Sequence, residues 1–234
     1  MRSAGFITSA AAIACALCLT GCSTLDRIIG ADDWKDWTPT TTSIQVHGDG
    51  TLTETIFDRL DQSWYQGNEL QDMIARSMNE YNASNTDGAV LVTSYSDAGG
   101  DVKVSIDYRT WEDFARYNNT VFFSGSMLDA QLQGFLFPGP FYEVKGSERS
   151  DQTVDSAEPV SHKEYSVVIS DSGHTVQVPG EIRYVGEGAQ VINSHVARMS
   201  EEGKKEEASE ASLYIIYEKD QDSYTKKETK KELP

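Results

Sequence analysis

SIQVHGDGTLTETIFD, residues 43–58, sets the fold class: two runs of alternating apolar and polar residues flank Asp49-Gly50. That pattern is the short-range signature of a β-hairpin, because a tight turn between twisted strands needs the positive φ that glycine supplies without strain. The acidic turn also invites comparison with a calcium-binding loop. Such a loop needs oxygen ligands at alternating positions before its glycine and a glutamate six residues after it. Gln45 and His47 stand where that ladder should be, and Ile56 replaces the glutamate. The hairpin reading stands.

Downstream, NELQDMIARSMNEYNA (68–83) predicts a helix capped by Asn68, with Leu70, Met73, Ile74, Ser77, Met78 and Tyr81 on one face as a core stripe. GAVLVTSYSD, the turn AGGD and VKVSIDYR predict a second hairpin. TWEDFARYNN follows, a short helix whose Thr110 and Asp113 have capping-box spacing. A strand at TVFFSG, a helix at SMLDAQLQG and a strand at PFYEV complete an expected α+β domain over 43–145. Residues 146–162 are polar and aperiodic, so a surface loop or linker is expected there. Residues 163–218 read as successive strands with a charged insert near 200–211, and 219–234 as a charged tail. The predicted fold class is α+β: antiparallel hairpins with two or three short helices in the first part and a β-rich second part. SLYIIYEK near the end is too apolar to lie at a sheet edge.

Upstream of the hairpin, residues 22–42 are polar and end in Pro39 and a threonine run, the composition of a tether. Trp34 and Trp37 within it are spaced to share a helix face. Before the tether, one positive charge at Arg2 precedes an uncharged, largely apolar run that is too short for a spanning helix. Residues 1–21 are therefore expected to be a signal peptide. The run ends in LTGC, residues 19–22.

Leucine three positions before a cysteine, with glycine immediately before it, resembles the lipobox of bacterial lipoproteins. That resemblance implies a diacylglyceryl group on the Cys22 thiol and cleavage just before it, with palmitate as the expected kind of acyl chain. Two or more acyl chains hold a protein on a bilayer where one does so only marginally. The implied location is the extracytoplasmic face of the cell membrane, with the membrane as a partner through the N-terminal anchor. The order of segments, from HGDGTLTETI through EDFARYNNTVFFSG to VPGEIRYV and YIIY, resembles a group of surface lipoproteins from Gram-positive gut bacteria. No activity, cofactor or catalytic residue comes with that resemblance, and only Cys22 carries over.

The formal charge is −17, and loss of Arg2 with the signal leaves 19 basic against 37 acidic residues, a net charge of −18. Such a surface repels nucleic acid, so no nucleic-acid partner is expected. Cys15 and Cys18 leave with the signal and Cys22 takes lipid, so disulfides, thiolate metal sites and cysteine nucleophiles are not expected.

Catalytic motifs are sparse. His47, His162, His174 and His195 are scattered, without metal-ligand spacing, and read as solvent-exposed side chains. No G-x-S-x-G is present, and the single S-x-x-K, Ser223 to Lys226, lies in the tail. Acidic pairs such as Glu54 and Asp58, or Asp107 and Glu112, are too numerous to single out a glycosidase pair. Aromatic side chains carry the one ligand hypothesis: Trp64, Tyr65 and Trp111 are the candidate contacts for a glycan or peptide, with no cofactor or metal expected. The expected function is a non-catalytic binding or envelope module meeting a glycan or protein partner. A carboxylate-based glycan-active enzyme and a small ligand-capturing transport accessory are the alternatives.

Overall fold

A computed structural model of the protein describes residues 37–60, 67–200 and 212–220. The hairpin forms from β1 (Ser43–Val46) and β2 (Leu52–Arg59), paired Val46 to Leu52. Gly50 takes φ +90, and Asp49 accepts from the Thr51 N–H and hydroxyl, fixing the turn. α1 (Gly67–Ser84) begins one residue before Asn68, so Asn68 lies in its first turn rather than capping it. Leu70, Ile74, Met78 and Tyr81 pack against the core, whereas Met73 is 55 % exposed, so the apolar stripe is narrower than its sequence spacing allows. β3 (Val90–Ala98) and β4 (Asp101–Tyr108) form the second hairpin. Gly99 and Gly100 both have positive φ, as a two-residue turn between twisted strands requires.

α2 (Trp111–Asn118) is capped by Thr110, whose hydroxyl accepts from the Asp113 N–H. β5 (Phe122–Ser126) and α3 (Met127–Leu132) lead to β6 (Phe141–Lys145). Residues 146–162, expected to be a loop or linker, instead contain all of β7 (Glu148–Val154) and α4 (Ala157–Ser161). The physical reason is position: among the described residues β7 is an edge strand paired to β6 alone, so most of its side chains face solvent and no apolar alternation marks it. The rest of the described chain is β8 (Ser166–Ser170), β9 (Thr175–Gln177), β10 (Gly180–Gly186), β11 (Ala189–Asn193), β12 (Val196–Met199) and β13 (Leu213–Lys219).

These strands make two sheets in an α+β fold rich in β structure. The first has the order β11-β12-β9-β1-β2-β4-β3, antiparallel except where β9 joins β1, and the second is antiparallel with the order β5-β8-β13-β10-β6-β7. Each sheet takes strands from both 43–145 and 163–218. β13, the SLYIIYEK strand, lies inside the second sheet between β8 and β10.

The main core lies between the sheets, uniting Ile44, Leu52, Ile106 and Phe114 with Val168, Ile182, Val185 and Ile215. Val90, Val92 and Tyr95 of β3 stand opposite Tyr108, Ile106 and Val104 of β4, and α1 packs over that end of the first sheet. Neighbouring residues on the second sheet, Phe123, Val167, Ile169 and Ile216, point the other way into a second cluster closed by Met127 and Ala130 of α3. A strand covered on both faces has no polar side, which is why every residue of β8 is buried.

Candidate functional site

Two features of the described residues stand out from ordinary packing: an apolar face around α3, and a buried polar cluster between the sheets. The face begins with Ser126, whose hydroxyl accepts from the Asp129 N–H at 3.0 Å and caps α3. Met127 and Ala130 point inward and are fully buried, which turns Leu128 and Leu132 outward. The helix ends in a Schellman motif: Phe135 N–H donates to Ala130 C=O and Gly134 N–H to Gln131 C=O, both at 3.0 Å, with Gly134 at φ +83. Beyond it the chain alternates. Phe135 packs on Phe123 with centroids 4.8 Å apart and Phe137 on Tyr214 at 6.0 Å, while Leu136 between them points out. Tyr214 fixes the loop by donating its hydroxyl to Leu136 C=O at 3.1 Å.

Leu128, Leu132 and Leu136 are therefore 49 %, 76 % and 79 % exposed. The whole stretch 130–142 carries no charged side chain, although charged residues make up 24 % of the protein. Lys163 lies beside it, its ammonium group donating to Gln131 Oε1 and to Val160 C=O. Leu136 is thus flanked by inward aromatics, and Leu128 and Leu132 share α3 with the buried Met127 and Ala130, so all three leucines stand on packed backbone.

The polar cluster centres on Glu54, which occupies the core-facing register of β2 between Leu52 and Ile56 and is 3 % exposed. Tyr108 of β4 donates its hydroxyl to Glu54 Oε2 at 2.6 Å. Asn118, the last residue of α2, reaches the Tyr108 hydroxyl at 3.1 Å and Glu54 Oε2 at 3.5 Å. His174, in the turn before β9, places Nε2 3.3 Å from Glu54 Oε1. Burial, and next the Glu54 carboxylate, raise the Tyr108 phenol well above its usual range, so Tyr108 acts as a donor. His174 Nδ1 is buried without a hydrogen-bond partner among the described residues. Both Glu54 oxygens are occupied by protein groups, an arrangement that joins β2, β4, α2 and the β8–β9 turn.

The expectation of solvent-exposed histidines is corrected. His195 is 5 % exposed, with Nδ1 2.8 Å from Ser194 Oγ and Nε2 3.3 Å from Asp220. His47 is half-buried in the hairpin turn and donates to Thr53 Oγ1, which in turn donates to Asp107. His162 is half-buried and stacks on Tyr165 with centroids 4.7 Å apart. His47 and His195 lie in strand-connecting turns covered in part by those strands, and His162, which caps α4, is covered by Tyr165 and Tyr184, none of which sequence position alone reveals. Among the described residues, no three acidic, histidine or cysteine side chains gather as a metal site.

Of the residues singled out from sequence, Cys22, Trp64 and Tyr65 lie outside the described residues, as does Trp34. Trp111 opens α2, is half-buried, and meets Phe123 edge-on at 5.1 Å, touching both apolar clusters. The leucine face was not singled out, although an uncharged thirteen-residue run in an acidic chain is its signal. Nor was Glu54 distinguished from other acids, although a glutamate flanked by Leu52 and Ile56 on one strand face marks a buried carboxylate.

Comparison with protein-family models, with curated proteins and with solved structures finds no match to this chain.

Proposed function

We propose that the protein is a lipid-anchored, non-catalytic binding or envelope module on the extracytoplasmic face of a bacterial cell membrane. The observation that carries this reading is LTGC at residues 19–22 after an apolar run with one preceding positive charge. One feature of the fold supports the non-catalytic part of this reading. The Glu54 carboxylate is spent on Tyr108, Asn118 and His174, which favours an architectural role over acid–base chemistry.

Replacing Cys22 with alanine tests the anchor. The expected result is an unprocessed precursor, or a chain released from the membrane fraction. Normal processing with unchanged membrane retention of Cys22→Ala would overturn the proposal.

A further inference from the structure

The geometry points to the α3 face, with Leu128, Leu132 and Leu136, as a contact surface for the lipid bilayer, an inference that rests on the anchoring reading above. Three leucines with these exposures offer on the order of 300–400 Å² of apolar surface. A stable free-standing protein interface buries about 800 Å² per partner, so this face is too small to hold a second copy, and the repulsion of two strongly acidic chains opposes that further. A tethered domain needs far less. From Cys22 to the start of β1 at Ser43 the chain spans at most about 70 Å when fully extended, which keeps the domain within reach of its own bilayer. A contact made within that reach is intramolecular in character, so a small apolar area suffices to bias orientation.

Charge selects the face. An acidic surface is repelled by anionic headgroups, and residues 130–142 are a window without charge from which Leu132 and Leu136 can enter the acyl boundary, while Leu128 stands at its border beside Asp129, whose carboxylate is tied to the Ser126 hydroxyl. Lys163 beside Gln131 places a positive charge at the rim, where a headgroup phosphate would lie, while the neighbouring Glu164 is turned to His162. Phe135 and Phe137 stay packed inward, so insertion requires no unfolding of the loop.

The test uses the full acylated chain carrying Leu132→Cys or, as reference, Leu91→Cys on the outer side of β3, where Leu91 is 48 % exposed. Cys22 is blocked by lipid and Cys15 and Cys18 are removed with the signal, so each variant offers one thiol for an environment-sensitive fluorophore. Each labelled chain is placed in phosphatidylethanolamine–phosphatidylglycerol vesicles with and without nitroxide-labelled acyl chains. Several-fold stronger quenching at position 132 than at 91 is expected, and Leu128→Gln with Leu136→Gln should weaken it without changing the unfolding midpoint. Equal quenching in a chain whose mass confirms acylation of Cys22 overturns the contact and leaves the anchor standing. A chain that is neither acylated nor carried with vesicles overturns the anchor and the contact together. An unquenched position 132 that crosslinks to a protein in intact cells overturns the lipid assignment in favour of a protein partner.

Discussion

Glu54 shows how a single residue can organise a fold while looking ordinary in sequence. Its carboxylate is buried at the core-facing register of β2, and Tyr108, Asn118 and His174 compensate the loss of water. Hydrogen bonds to a charged group are worth about 1.5–3 kcal/mol. Tyr108→Phe should lower stability by about that amount, measured as a reduced urea midpoint with unchanged slope. His47 gives a pH signature of the opposite kind. Burial holds its pKa below the ordinary value of 6.5, against the pull of Asp49 and Asp107. The unfolded chain then binds a proton that the folded chain does not, so stability should rise with pH across the window just below 6.5. Asp49, held down first by the Thr51 hydroxyl, gives the same sign at lower pH, through the carboxylate range. Urea midpoints from pH 5 to 7 should show the slope, and His47→Gln should flatten it; an equal slope in the variant would remove His47 from the account. The Glu54 to Tyr108 pairing was half legible, because TLTETI places the acid in an apolar row, but its partners lie as far as 120 residues away in sequence.

The elements with local chemistry were the legible ones. Asp49-Gly50, Gly99-Gly100 and the Thr110 cap each encode their geometry within a few residues, and the structure has a hairpin, a hairpin and a helix start there. β7 was illegible for the complementary reason: its pairing to β6 is made by backbone, and its side chains face water. Arg149 over the Tyr142 ring, 4.3 Å from its centroid, is a tertiary contact that no local pattern announces. α3 and its exit are also locally encoded, since Gly134 at φ +83 closes the Schellman motif. Gly134→Ala should cost about 1 kcal/mol. Hydrogen exchange should speed up at the Gly134 and Phe135 amides first, and unchanged protection there would show that the motif does not hold the leucine face.

At the scale of the whole molecule, the described residues build two sheets on a shared core, each sheet combining strands from both halves of the sequence. Periodicity identified most of those strands but not their partners, because β1 beside β9 and β5 beside β8 are choices made by burial across more than forty residues. The central claim is that this acidic two-sheet domain is held at a membrane by lipid on Cys22. Mass spectrometry of the N-terminal peptide from membrane-extracted protein tests it most directly. The account predicts a peptide beginning at Cys22 and carrying the mass of a diacylglyceryl group with or without an additional acyl chain. A peptide with an unmodified Cys22 thiol, or one continuing upstream through Gly21, would contradict it.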